Sequence, residues 1–154
     1  MGITFRHLTA SEPDLMRELL NLFGRVFDMP ETYSGAQPCD DYLRALLAGE
    51  QFVAVVAFEG QQLVGGLAAY ELKKFEQARS EFYIYDLAVE ETVRRRGVAT
   101  GLIGYLRKLA ADRGAYVIFV QADWGDDVPV ALYSKLGARE DVHHFDIDVG
   151  HADG

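Results

Sequence analysis

The sequence predicts a mixed α/β domain spanning residues 1–154. Its 154 residues are 49% hydrophobic and 25% charged, which suits one core rather than two. Runs with strand and helix periodicity follow one another as a hairpin meander, then strand–helix–strand–helix–strand. A basic glycine turn, Arg94-Arg95-Arg96-Gly97, joins the run of strongest strand preference to an amphipathic helix.

Ile3 to Leu8 reads as a first strand. Ser11 with Asp14 resembles a capping box ahead of Leu15, Leu19, Leu22, Phe23 and Val26, which recur at helical spacing. Met29 to Pro38 reads as a loop, and Asp40 to Leu47 as a helix ending near Gly49. Gln51 to Phe58 and Leu63 to Leu72 are strands joined at Glu59-Gly60-Gln61, where Gly60 tolerates positive φ. After a polar connection, Glu81 to Val89 is a strand rich in aromatic and branched residues. Ala99, Leu102, Ile103, Leu106 and Ala110 mark one helix face, closed by Gly114. Tyr116 to Val120 is an apolar run of the kind buried on both sheet faces. Pro129 to Leu136 is a short helix stopped by Gly137, and His143 to Val149 alternates as a last strand.

Composition narrows the partners. The formal net charge of -9 argues against nucleic acid, whose phosphates it repels, and is compatible with a cationic amine. The same acidity also serves solubility alone. One cysteine, Cys39, allows no intrachain disulfide. No basic-then-apolar leader opens the chain, and no apolar run approaches the roughly 20 residues that span a bilayer. A cytoplasmic location, with no membrane, is the expectation.

Arg94 to Ala99 carries the most chemical information. The first N–H groups of a helix have no partner inside it, and the helix dipole is positive there. A glycine lets a ligand approach the backbone, and arginines add fork-shaped donors. These features suit a pyrophosphate, although a solvated basic helix start has the same composition. A Walker loop is excluded because no Gly-Lys-Ser/Thr follows, and a dinucleotide fingerprint because it needs three spaced glycines.

Arg94-x-x-Gly97-x-Ala99 resembles the pyrophosphate motif of the GNAT acetyltransferase superfamily. It follows Asp86-Leu87-Ala88-Val89, where that superfamily has its acetyl-CoA-binding strand. Ala131-Leu132-Tyr133-Ser134-Lys135-Leu136-Gly137 resembles its second hallmark, a short helix with a tyrosine closed by glycine. Within the superfamily the chain is most similar to gentamicin-modifying aminoglycoside 3-N-acetyltransferases. Phe75-Glu76-Gln77, Tyr83 to Val89, Gln121 to Asp127 and His144 to Asp148 carry that likeness, while Trp124 and Arg96 depart from it.

The resemblance implies a mixed, mostly antiparallel sheet flanked by helices. It also implies direct attack of an amine on acetyl-CoA. Leu87, Ala88 and Val89 would pair with the pantetheine arm, and Arg94, Arg95, Arg96, Gly97, Val98, Ala99 and Thr100 would hold the pyrophosphate. Tyr133 is the candidate acid for the departing thiolate, with a packed aromatic as the alternative. Asp86 is the first candidate base, or else a substrate anchor that never takes a proton; Glu81 is second. Substrate contacts are expected from Glu81, Tyr85, Asp123, Asp126, Asp127 and Asp146, because a polycation needs carboxylates. Asp126 and Asp127 also fit a helix N-cap before Pro129. Tyr33, Tyr83, Tyr85 and Trp124 suit stacking on sugar rings or ordinary packing. Asp126, Asp127, His143 and His144 match no metal-ligand spacing, so no metal is expected. The resemblance allows a homodimer.

The implied activity is acetylation of the 3-amino group of a 2-deoxystreptamine aminoglycoside, which confers antibiotic resistance. Two other readings share parts of this evidence. One is the same chemistry on a polyamine, peptide or lysine; the other is a non-catalytic acyl-CoA sensor, against which Tyr133 argues.

Overall fold

The computed structural model describes residues 2–150. The chain divides into two compact units, Met1–Gln121 and Ala122–Gly154.

In the first unit five strands form one sheet in the order β1-β2-β3-β4-β5. They are β1 (Ile3–His7), β2 (Phe52–Glu59), β3 (Gln62–Lys73), β4 (Ser80–Val89) and β5 (Ala115–Val120). All neighbours are antiparallel except β4 and β5, which run parallel. Helix α4 (Val98–Asp112) makes the crossover that a parallel pair requires. Gly60 takes φ 61° in the β2–β3 turn, as the hairpin demands.

Each sheet face is closed by helices. Met16, Leu19, Leu22 and Phe23 of α1 (Pro13–Val26) and Leu43 and Leu47 of α3 (Asp40–Ala48) are buried against Phe52, Ala54, Val56, Ala68 and Ala88. Val98, Leu102, Ile103, Leu106 and Ala110 form the buried stripe of α4. Close approach of α1 depends on Gly66, where an added Cβ would lie 2.4 Å from Leu19 Cδ1 and 3.0 Å from the Val55 carbonyl oxygen. Gly66→Val should therefore destabilise the fold by about 1–3 kcal/mol and lower Tm by several degrees. An unchanged thermal melt would contradict this packing.

Three local expectations change in the first unit. Met29–Pro38 is not wholly loop, because Pro30–Ser34 forms a short helix, α2, with Pro30 in its first turn. The Ser11–Asp14 capping box does not form: Glu12 is the N-cap residue of α1 and no side chain caps the helix, while Glu12 Oε1 turns back to accept from the Thr9 N–H at 2.9 Å and from the Thr9 hydroxyl at 3.2 Å. Glu12 is also held by Arg6 at 2.6 Å. Finally, β5 is not buried on both faces; Tyr116 and Val117 are 49% and 41% exposed. As the last strand of this sheet it has one strand neighbour, so an apolar run does not guarantee burial.

The second unit contains α5 (Asp127–Leu136), which starts two residues before Pro129 and stops at Gly137. Asp126 occupies its N-cap position, but neither Asp126 nor another side chain caps it. His143–Val149 forms no strand. Phe145, Ile147 and Val149 keep their alternation and are exposed. Alternation supplies the side chains of a strand, but a strand exists only where a ladder partner takes up its backbone groups, and residues 143–149 pair with none among the described residues.

Candidate active site

The regular period of β4 is broken once. Asp86 pairs with Ala68, yet Ile84 pairs with Ala69, so Tyr85 is an extra residue in a β-bulge. Side chains alternate faces, so one inserted residue moves everything after it to the other face. Ala68 belongs to the core under α1 and α3, and Asp86 shares its face. Without the bulge Asp86 would point with Ile84 to the face that carries α4. With it, Tyr83, Tyr85 and Asp86 gather on one side.

Their surroundings are aromatic. Tyr83 stacks on Phe119 of β5 at 4.7 Å between centroids and lies 5.6 Å from Tyr85. Tyr85 meets Tyr70 of β3 edge-on at 6.1 Å. Tyr85 is exposed, whereas Asp86 is partly buried. Burial pushes the Asp86 carboxyl above its ordinary value, and a hydrogen bond from the Tyr33 hydroxyl at 3.0 Å partly opposes that rise. A carboxylate whose pKa is raised is a better proton acceptor than an exposed one.

The same region of β4 has an open flank. β5 pairs with β4 only from Ser80 to Ile84, and its pairing ends there at Val120. The backbone of Tyr85 to Val89, including Leu87, Ala88 and Val89, therefore has no β5 partner along that flank. An extended amide-bearing chain can hydrogen-bond there as an added strand.

At the end of β4 the basic turn takes an unusual shape. Arg95 has φ 66° and Gly97 has φ 76°. A left-handed arginine costs about 1–2 kcal/mol, so the surrounding turn imposes it. Alternating left-handed residues aim successive N–H groups inward, as in anion-binding nests. The first helical bond runs from the Gly101 N–H to the Gly97 carbonyl at 2.9 Å. The N–H groups of Val98, Ala99 and Thr100 thus open the helix with no partner inside it. Two adjacent phosphates suit this arrangement of donors.

The three arginines are not equivalent. Arg94 Nε donates to the Val89 carbonyl at 3.2 Å and ties the turn to its strand. Arg96 pairs with Glu59 of the β2–β3 hairpin at 2.5 Å. Arg95 is exposed. The turn's attraction for anions therefore rests on backbone donors more than the arginine count suggests.

Glu81 lies on β4 about 15 Å from Asp86 along the strand. Tyr116 donates to its Oε2 at 2.8 Å, and Lys74 Nζ lies 3.5 Å from its Oε1. The fold does not bring Glu81 and Asp86 together. Asp123, Asp126, Asp127, Tyr133 and Asp146 all belong to the second unit. There Tyr133 is partly buried on α5 and the four aspartates are exposed. Asp146 Oδ1 lies 2.9 Å from His144 Nε2. Among the described residues, no group of three or more His, Cys, Asp or Glu side chains could hold a metal ion. No helix among them is long and apolar enough to cross a membrane.

Sequence reasoning leaves Tyr70 out of the site and gives Tyr33 only a stacking or packing role, not the hydrogen bond to Asp86 that it makes. Tyr33 lies 53 positions from Asp86, too far for any local spacing to link them.

Known proteins agree with this geometry. The model of the acetyltransferase (GNAT) family matches residues 16–138. An aminoglycoside acetyltransferase from an uncultured soil metagenomic sample, HMB0005, is 56% identical. The match covers 97% of this chain and 100% of that one, with a TM-score of 0.96. A second soil metagenomic aminoglycoside acetyltransferase, meta-AAC0020, solved in complex with sisomicin, is 30% identical over 96% of this chain and 97% of its own, with a TM-score of 0.87. N-acetyltransferase 8B of Rattus norvegicus is 27% identical over 90 residues, 58% of this chain, and the chain spans 40% of that relative's length. The family model, matched along residues 16–138 over a bulged strand and a helix start suited to an anion, places this chain in the GNAT acetyltransferase family.

Proposed function

We propose that the protein transfers the acetyl group of acetyl-CoA to the 3-amino group of an aminoglycoside, conferring resistance to that antibiotic. The observation that carries this reading is the 56% identity to an aminoglycoside acetyltransferase across 97% of the chain. The family match spans residues of both compact units and supports their working as one catalytic domain. Acetyl-CoA is a cytoplasmic metabolite, which favours that compartment for the reaction.

Acetyl-CoA supplies an activated thioester. The N–H groups of Val98, Ala99 and Thr100, with Gly97 and the flanking arginines, hold its pyrophosphate. The unpaired flank at Leu87, Ala88 and Val89 holds its pantetheine arm, and a backbone N–H there polarises the thioester carbonyl. Asp86 accepts the proton that the substrate ammonium must lose before its nitrogen can attack. Tyr133, placed by its motif, returns a proton to the thiolate as the C–S bond breaks. Tyr85 packs against the sugar, and Asp123, Asp126, Asp127 and Asp146 attract its remaining ammonium groups.

Gly97→Val should raise the KM for acetyl-CoA by about tenfold, since a branched residue at φ 76° is strained by 1–2 kcal/mol or reshapes the donors. The KM for the amine should change little. Equal effects on both constants would detach this turn from cofactor binding.

The function itself is tested with purified protein, acetyl-CoA and a thiol-detecting reagent. Gentamicin, kanamycin, spermidine and a basic peptide are the acceptors. Thiol release with the aminoglycosides alone is expected, with mass spectrometry and NMR locating the acetyl group on the 3-nitrogen. Release with spermidine or the peptide but not with aminoglycosides would overturn the reading.

A further inference from the structure

Asp86 is a partly buried carboxylate whose single hydrogen bond among the described residues comes from Tyr33. That bond occupies Oδ2 and leaves Oδ1 for a substrate. The groups coupled electrostatically to Asp86 are Tyr33 from α2, Tyr70 from β3 and Tyr83 from β4. Tyr85 couples in turn to all three of these tyrosines. No arginine, lysine or histidine contributes to the shift of Asp86. A hydroxyl donor is the device that the described residues supply to steady this charge.

Tyr33 is built to hold that position. Its ring lies edge-on to Phe23 at 5.7 Å and tilted against Phe27 at 5.8 Å, and these two rings of α1 and its C-terminal end stack at 5.6 Å. The backbone is pinned as well. Gln37 Nε2 donates to the Tyr33 carbonyl at 3.1 Å and to Asn21 Oδ1 at 2.9 Å, and Ser34 donates to the same Asn21 oxygen. A phenylalanine would satisfy every one of these ring and backbone contacts. Only the bond to Asp86 requires the hydroxyl. Burial and the Asp86 charge push the Tyr33 phenol well above its ordinary value, so it remains a donor throughout the working range.

We propose that Tyr33 is a positioning residue for catalysis: its hydroxyl, aimed by the α1 aromatic pair, anchors Asp86 Oδ2 so that Oδ1 faces the substrate ammonium as an ionised base. The proposal rests on the reading of Asp86 as the base. When the ammonium N–H bond breaks, the proton goes to Oδ1 and the carboxyl becomes neutral, while Tyr33 keeps its own proton. Burial alone would keep Asp86 protonated to higher pH. The phenol donor opposes this and also removes the rotational freedom of the carboxylate.

Tyr33→Phe tests the idea. Losing a donor to the charged form raises the Asp86 pKa, so the acid limb of kcat/KM for the amine should move up by about one pH unit. At the optimum kcat should fall about tenfold, with the KM for acetyl-CoA and Tm nearly unchanged. Site-specific 3-fluorotyrosine at position 33, an isosteric and stronger donor, should move the limb down, and it stands in should Tyr33→Phe fold poorly. Carbon-13 NMR of the Asp86 carboxyl reads the coupling without turnover. An Asp86 titration identical in wild type and Tyr33→Phe overturns the proposal, and so does a shifted titration with an unmoved kcat/KM limb. Asp86→Asn separately tests whether Asp86 is the base at all, so the two failures are distinguishable.

Discussion

Asp86→Asn should lower kcat by about 10²–10⁴-fold, the usual contribution of a positioned general base and equivalent to about 3–5.5 kcal/mol of barrier. Asparagine keeps the size of the side chain and can still accept the Tyr33 hydroxyl, so the loss isolates the proton acceptor. In the wild type, kcat/KM should fall on acidification with an apparent pKa above that of an ordinary carboxylate, because burial raises Asp86. That limb should vanish in the variant. Stability should move the other way. A carboxyl whose folded pKa exceeds its unfolded one contributes stability that is complete below the unfolded value and is lost as pH rises through the folded value. Asp86→Asn carries no such loss and should melt higher than wild type at neutral pH. Retained turnover with an intact acid limb would make Asp86 a substrate anchor. Melting curves that coincide at pH 4 and pH 8 would contradict the burial argument.

Tyr133→Phe should lower kcat by a comparable factor, about 10²-fold or more, and leave the KM for acetyl-CoA within about twofold. The phenol does its work when the thiolate departs, so its loss is felt in the transition state rather than in binding. Substrates whose thiol leaving group is more acidic need less protonation. A series of acyl donors with thiols of decreasing pKa should therefore narrow the gap between variant and wild type. A constant gap across that series, or unchanged turnover with acetyl-CoA, would remove the acid role.

The elements that were legible in the sequence are those decided locally. Gly60, Gly97 and Gly114 all take the positive φ expected of turn and cap glycines. The stripe Leu102, Ile103, Leu106 and Ala110 is buried as its spacing predicts. The strand before the turn and the helix after it have the expected bounds within a residue or two. Where the reading went astray, the deciding contact was remote. The apolar Tyr116–Val120 run reads as a central strand, but its neighbours are set by the whole sheet order. The alternation of His143–Val149 finds no ladder partner among the described residues.

The site divides along the same line. The anion-binding turn was visible because its glycine, its arginines and the helix that follows are contiguous. Its distribution of charge was not, because Arg96 answers to Glu59 and Arg94 to the Val89 carbonyl. Asp86 was identified by its place in a motif, not by its environment. Its face, its burial and its partner depend on one inserted residue opposite Ala68 and Ala69, on a helix 53 positions away and on two phenylalanines behind it.

By itself, then, the sequence determined the order of strands and helices from β2 to α5, the turn that suits a pyrophosphate and the strand that leads into it, since these follow from backbone preferences and side-chain period over a few residues. Tertiary structure alone decided which face Asp86 occupies, that Tyr33 holds it and that β4 is left with an open flank beyond Ile84. A bulge, a long-range hydrogen bond and the end of a ladder are properties of paired strands and packed helices, and no single segment carries them.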